Sequence, residues 1–324
     1  MNDLEKYWYR FSLLHFLLIP VSLLFRMLAA LRRALYRSGI LASVKLSVPV
    51  IVVGNISVGG TGKTPFTLWL AQRLLDEGWH PGIISRGYGG NNTISRPVAS
   101  EDVANEVGDE PLLMAQRGLC PVWIGRDRPA AAQSLLQAHP ECDVILSDDG
   151  LQHYRLQRDV EIVLVDGMRR FGNGRLLPAG PLREPVSRLA SVDFVVVNGG
   201  TAMPGEIGMN LLSSQFYNLL NPDVTAAAHS FIGQRLHAVA GIGHPARFFT
   251  QLERLGLSVI QHAFPDHHRY SVSDLDFADA DAILMTEKDA VKCTGFATEK
   301  YWALRVDAQI DTILLQRILE KIDH

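Results

Sequence analysis

Short β-branched apolar runs alternate along this chain with longer amphipathic stretches. Val50 to Val53 is the first such run and predicts a buried strand. Pro65 to Leu75 then reads as a helix, with Pro65 in the first turn, where its missing N–H has no partner to lose. Gly82–Ser85, Pro121–Ile124, the apolar run after Cys142, Val160–Val165 and Phe194–Val197 read as further strands, and Arg128–Ala138 as a helix. A second series follows: strand Leu236–Ala240, helix Pro245–Leu255, strand Ala282–Met285, strand Leu304–Val306 and helix Thr312–Ile322. Strands alternating with helices predict an α/β fold. Gly, Thr and Pro concentrate around Gly199–Gly205, which places a unit boundary there: 41–204 for the first α/β unit and 205–324 for a smaller second one.

The first forty residues are patterned differently. Phe11 to Phe25 carries no formal charge and is bounded by Arg10 and Arg26. As a helix this stretch measures about 22 Å, short of the roughly 30 Å of a bilayer core. Pro20 also interrupts it. His15, Ser22, Arg26, Arg33 and Arg37 recur at intervals of seven and four and so share one narrow stripe. Trp8, Phe11, Leu14, Phe16, Leu18, Phe25 and Leu28 occupy much of the remaining surface. A basic stripe on an apolar helix suits the membrane interface, with cations at the headgroups. A buried core helix with a polar edge is the competing reading. A secretory signal would need a small-residue cleavage site, and none is convincing.

Composition narrows the class. The 324 residues are 47% hydrophobic and 20% charged, which supports a packed core and two units. A net charge of −3 argues against a general nucleic-acid binder. Cys120, Cys142 and Cys293 are scattered without metal-like spacing and read as buried thiols in a reducing compartment.

The chemistry concentrates after the first strand. Ser57, Val58, Gly59, Gly60, Thr61, Gly62, Lys63 and Thr64 form a glycine-rich loop between strand and helix, the arrangement of a P-loop. Glycines let backbone N–H groups turn toward phosphate oxygens, and the helix N-terminus adds partial positive charge. Lys63 is placed for the β- and γ-phosphates and Thr64 for Mg²⁺. Ser57 stands where the usual spacing has glycine. Downstream, Asp148 and Asp149 end an apolar strand at its carboxyl edge, where α/β ligands collect and a Mg²⁺-side carboxylate is expected. A polar turn with a capping aspartate fits the same residues.

Other stretches leave two readings open. Arg86-Gly87-Tyr88-Gly89-Gly90 is either a clamp for an anionic substrate or a plain turn. Asp109 in Gly-Asp-Glu-Pro either caps a helix or accepts a proton from a substrate hydroxyl. FGNGRLLPAGPLREPVSRL is too long for a simple connection. Within it Arg183 and Glu184 contact phosphate and metal, or one another. Gly241-Ile-Gly243 lacks the third glycine of a dinucleotide site. In Phe264–Tyr270 the adjacent His267 and His268 lack the spacing of metal ligands. A histidine that orients a catalytic carboxylate is better motivated, and an exposed pair is the plain alternative.

GNISVGGTGKTP, SRGYGG, GDEP, SDDGLQHYRL, FGNGRLLPAGPLRE, VAGIGHPARFF, FPDH and MTEKDAVKC occur in one order. In order and wording the chain closely resembles the tetraacyldisaccharide 4′-kinase family, the lipid A kinases of Gram-negative bacteria. The family's loop shares the atypical form at Ser57. The resemblance implies a P-loop NTPase-like, RecA-like kinase domain, a smaller α/β domain joined by a hinge, and an N-terminal membrane-associated helix. It implies transfer of the γ-phosphate of ATP, with Mg²⁺, to the 4′-hydroxyl of an acylated glucosamine disaccharide 1-phosphate at the cytoplasmic face of the inner membrane. No obligate protein partner is implied.

By motif, Lys63 and Thr64 take the phosphate and Mg²⁺ positions, Asp109 the base and His267 its dyad partner. Asp148, Asp149, Arg183 and Glu184 lie near metal and phosphates, and Arg86 and Tyr88 in the substrate loop. A membrane-associated P-loop NTPase that switches or drives a partner is the alternative class. It would not require the Arg183 loop or the FPDH histidine.

Overall fold

The computed structural model describes residue 8, residues 14–88, residue 90 and residues 94–323, with residues 14–16 by backbone alone. The readings placed on Arg10, Phe11 and Gly89, and on the side chains of Leu14, His15 and Phe16, lie outside the described residues.

Two sheets organise the described residues. The larger has nine strands, in spatial order Asp307–Ile310, Ile207–Leu212, Phe194–Asn198, Val160–Asp166, Val50–Gly54, Val144–Asp148, Pro81–Ser85, Val122–Ile124 and Arg96–Pro97. Neighbours pair parallel except at the two edges. Val50–Gly54 is central because it is apolar on both faces. Ile51 and Val53 enter the core under Phe66, Leu70 and Leu74, while Val50 and Val52 enter the opposite core with Ile84, Leu135 and Leu151. This is the period-two alternation of a strand covered on both sides.

The second sheet has six strands, in the order Thr225–Ala227, Gln215–Asn218, Tyr301–Leu304, Ala282–Thr286, Leu236–Ala240 and Val259–Ala263. The helix Pro245–Arg254 packs on it through Phe248, Phe249 and Leu252.

Sheet membership moves the boundary drawn at 204/205. The strand Ile207–Leu212 belongs to the first sheet, and the chain returns to that sheet at Asp307–Ile310, which pairs with it antiparallel. The final helix, Ile313–Ile322, then buries Leu314, Leu315, Ile318 and Ile322 in the first unit's core. Two short connectors therefore join the units, at 213–214 and 305–306. The cause is local: Ile207–Leu212 exposes most of its side chains, so its apolar pattern is too thin to mark a strand.

The N-terminal helix is continuous over Leu14–Arg37 despite Pro20. Part of its polar stripe faces inward, while Arg26 and Arg37 are exposed. Ser22 Oγ donates to the Leu176 carbonyl at 2.8 Å, and Arg33 lies 3.8 Å from Glu184. Trp8 Nε1 donates to the Pro178 carbonyl at 3.0 Å. Leu17, Val21, Leu24, Leu28 and Leu31, spaced by four and three, are exposed on the other side. Among the stripe's cations, expected at membrane headgroups, Arg33 instead turns toward Glu184. Among the described residues no helix is long and apolar enough to cross a membrane.

Replacing Ile318, which is fully buried, with Ala should cost about 2–5 kcal/mol by leaving a cavity. Hydrogen exchange should show the loss in Val50–Gly54, with Leu236–Ala240 unaffected. Loss confined to Leu236–Ala240 would place the last helix with the second unit.

Candidate active site

The site lies at the carboxyl edge of the large sheet, where Val50–Gly54 runs into the glycine loop. The parallel register sets Val53 beside Asp148, so the loop and the Asp148 strand end together. The helix Lys63–Asp76 starts directly from Gly62, whose φ of 89° is open to glycine but strained for other residues. An added Cβ there would meet the Asn198 amide nitrogen at 2.6 Å and Met209 Cε at 2.9 Å. Asn198 Nδ2 donates to the Thr61 carbonyl at 3.2 Å, and Asn55 Nδ2 to the Gly59 carbonyl at 3.3 Å. Arg169 is held by Asp166 and donates to the Gly60 carbonyl at 3.2 Å. Side-chain amides and a guanidinium thus occupy the loop's carbonyls.

The long Gly- and Pro-rich connection is stitched to this loop. Val58 N–H donates to the Pro181 carbonyl at 2.8 Å, and Arg183 N–H to the Ile56 carbonyl at 2.7 Å. Arg183 thereby reaches Asp149, with 3.2 Å to each carboxylate oxygen. Lys63 Nζ lies 3.5 Å from the same carboxylate. Asp149 has a left-handed backbone, φ 46°, tolerated by Asp more than by most residues. Burial alone would raise its pKa, but Lys63 and Arg183 outweigh burial and bring it down to about 2.

Asp148 behaves oppositely. It is almost wholly buried, and burial followed by the Glu110 charge pushes it up to about 7. Its Oδ1 is buried without a hydrogen-bond partner. A buried carboxylate oxygen left open next to a second carboxylate, Asp149, is oxygen chemistry that fits a hard cation. Among the described residues no three His, Cys, Asp or Glu side chains form a metal cluster. An ion shared with phosphate oxygens does not require one. Glu184 differs from the expectation of a metal-facing residue. Its oxygens accept from Gln152 Nε2 at 2.8 Å and Tyr154 OH at 2.7 Å, with Arg188 Nε at 3.3 Å. Those partners make it a brace for the loop.

Asp109 opens the helix Asp109–Gln116 and is buried. Across the junction between the units, His267 Nδ1 lies 3.0 Å from Asp109 Oδ2. His267 has φ 58°, a strained backbone of the kind that gathers at functional sites. The Tyr88 ring stands edge-on to the imidazole at 5.6 Å, and both Tyr88 and Arg86 are exposed. Burial acts to raise the Asp109 pKa. The His267 bond, Lys292 and Lys288 outweigh it, so the carboxyl sits below its ordinary range.

Several neighbours carried no assignment from the sequence. Lys288 Nζ is 3.2 Å from Glu110, and Lys292 Nζ is 3.9 Å from Asp109. Arg128 is buried and donates to the Asp148 carbonyl at 2.7 Å. Lys288 and Lys292 had a signal: they lie four apart in Thr-Glu-Lys-Asp-Ala-Val-Lys, the spacing that aligns two side chains on one helical face. Asn198 and Asn55 had none, since nothing local marks an amide that braces a distant loop.

The family model described as LpxK, tetraacyldisaccharide-1-P 4′-kinase, matches residues 14–323. A tetraacyldisaccharide 4′-kinase of Methylobacillus flagellatus is 54% identical over 319 residues, covering 98% of this chain and 95% of that protein. One of Azoarcus sp. is 54% identical over 331 residues, covering 100% and 96%. Among solved structures, an LpxK from Aquifex aeolicus, described as an "apo" form in complex with ATP, superposes with a TM-score of 0.82. It is 31% identical, covering 96% of this chain and 100% of that one.

Gly62→Ala should lower Tm, because its Cβ meets Asn198 and Met209 in a strained backbone. Gly60→Ala meets nothing within 4 Å and should leave Tm close to wild type. Equal melting of the two variants would show that Asn198 does not shape the loop.

Proposed function

The chain belongs to the tetraacyldisaccharide-1-P 4′-kinase family, and we infer that its base is Asp109, completed by His267 from the second unit. It is an ATP-dependent kinase of lipid A biosynthesis, moving the γ-phosphate of ATP to the 4′-hydroxyl of tetraacyldisaccharide 1-phosphate. The observation that carries the residue assignment is the 3.0 Å contact between Asp109 and His267. A helix cap needs no imidazole from another sheet, and neither does an NTPase switch.

The geometry supports a role for each residue. Backbone N–H groups of residues 59–64 and the Lys63 ammonium receive the phosphates of ATP, the Val58 N–H being engaged by the Pro181 carbonyl. Thr64, Asp148 and Asp149 are the residues that would hold Mg²⁺, which when bound neutralises charge on the phosphate oxygens. Arg183, fixed to the loop backbone and to Asp149, adds a second cation beside Lys63. The 4′-hydroxyl loses its proton to an Asp109 carboxylate oxygen as its own oxygen bonds to the γ-phosphorus and the bond to ADP breaks. His267, in the tautomer with a proton on Nδ1, donates to Asp109 and holds its free oxygen toward the acceptor. Tyr88, exposed beside His267, and Arg86, exposed in the same loop, face the incoming disaccharide.

The units are joined by two short connectors and meet through charge pairs and an apolar contact, Val291 in the first unit's core, a limited junction of the kind that allows relative motion. We place substrate entry in the open arrangement and chemistry in the closed one. The exposed Leu17, Val21, Leu24, Leu28 and Leu31 face supports docking on the cytoplasmic surface of the inner membrane, where an acylated substrate lies.

Asp109→Ala should keep ATP affinity within a few-fold while turnover falls about 10²- to 10⁴-fold, with ATP consumption in wild type depending on the acylated disaccharide. Parallel loss of affinity and turnover would make Asp109 a structural cap.

A further inference from the structure

The Gly241 turn, the segment from Thr286 to Lys292 and Tyr270 converge on one fully buried carboxylate, Asp289. Asp289 accepts from Gly241 N–H at 3.0 Å and from Thr286 Oγ1 at 2.7 Å. Lys292 Nζ donates to it at 2.7 Å. The Tyr270 ring lies 5.1 Å from the same ammonium. A Cβ on Gly241 would come within 2.9 Å of the Tyr270 hydroxyl and 3.1 Å of Asp289 Oδ1. Glycine at 241 is therefore required by close packing around this carboxylate, which gives the Gly-Ile-Gly turn a purpose unrelated to nucleotide binding.

The network ends on the catalytic carboxylate. Lys292 Nζ is 3.9 Å from Asp109 Oδ2, and the Lys292 and Asp109 side chains are 6% and 9% exposed. We propose that Lys292 is a positioning residue for the phosphoryl transfer: a cation fixed by Asp289 and the Gly241 turn, which the second unit brings against Asp109 to keep that carboxylate ionised and in place. The proposal rests on Asp109 being the base.

Three second-unit groups face Asp109 in the closed arrangement: His267, Lys292 and Lys288. Within the first unit its charged neighbour is Glu110. Lys288 is engaged with Glu110 at 3.2 Å, so its charge is largely answered there. Lys292 is different, because it donates to Asp289 at 2.7 Å and lies at ion-pair distance, 3.9 Å, from Asp109. An opposite charge within 4–6 Å favours the ionised form of a carboxyl. Here water is nearly excluded, and salt screens the pair weakly. In the direction expected, the Lys292 charge is one of the causes holding Asp109 below its ordinary range. The consequence is a base that is prepared by closure. Open, Asp109 faces solvent without its cations; closed, it is ionised, hydrogen-bonded and dry.

Lys292→Met alone would strand the buried Asp289 charge, so the informative variant is Lys292→Met with Asp289→Asn, alongside Lys292→Arg. Each is first checked for a wild-type Tm. The Asp109 carboxyl is followed by ¹³C NMR titration and assigned by its loss in Asp109→Asn. In the double variant its midpoint should move up by about one unit or more, the lower end of what a close opposite charge supplies. At neutral pH kcat should fall about tenfold with the KM for ATP unchanged, and Lys292→Arg should restore both readings. A folded double variant with the wild-type midpoint and kcat would overturn the proposal. Retained turnover in Asp109→Asn would instead remove the base assignment itself. An inactive Asp109→Asn with an unmoved midpoint in the double variant would sink only the role of Lys292.

Discussion

A carboxylate from one sheet and an imidazole from another, 3.0 Å apart, set the requirement that the rest of the molecule meets. Asp109 starts a helix of the first unit, and His267 stands on a strained turn of the second. Their approach depends on how the two sheets are held. Arg117 pairs with Glu287 at 2.9 Å, Arg247 with Asp166 at 2.9 Å and Lys288 with Glu110 at 3.2 Å, all across the junction. Charge pairs of this kind give orientation more than cohesion, since each ion also loses hydration. The junction is therefore specific in geometry, with each pair fixing the register of one unit against the other.

The nucleotide side is built on the opposite principle. Its strand is buried on both faces, its loop carbonyls are held by Asn55, Asn198 and Arg169, and its long neighbour loop is hydrogen-bonded to it along the backbone. The glycine loop is held from within its own unit, whereas Asp109 gains its His267 partner from the other one. Asp166 connects the two halves, because it holds both Arg169 under the loop and Arg247 of the second unit. The N-terminal helix joins the same scheme through Arg33 beside Glu184, whose neighbour Arg183 reaches Asp149.

What was legible in the sequence follows from how much of each signal is local. Val50–Val53, a continuous apolar run, and Leu236–Ala240, apolar but for His237, were found in place or within a residue, as was the helix Arg128–Ala138. Ile207–Leu212 and Val259–Ala263 are mostly exposed and Asp307–Ile310 is half exposed and short, so their strand character comes from partners rather than from pattern. The unit boundary was misplaced for the same reason, because a returning edge strand and its helix leave no mark at the point of return. The P-loop was legible because backbone chemistry dictates its glycines. The proximity of Asp109 and His267 came from family resemblance, since 158 residues of chain separate them. Lys292 was missed because its importance lies in a distance between units.

Coupling between Asp109 and His267 is the central claim, and a double-mutant cycle on kcat measures it most directly. Asp109→Asn, His267→Gln and the double variant would be compared under saturating ATP and acceptor. If the two residues act as one unit, the double variant should be no slower than the slower single variant. Losses that simply multiply would show two independent residues and contradict the account.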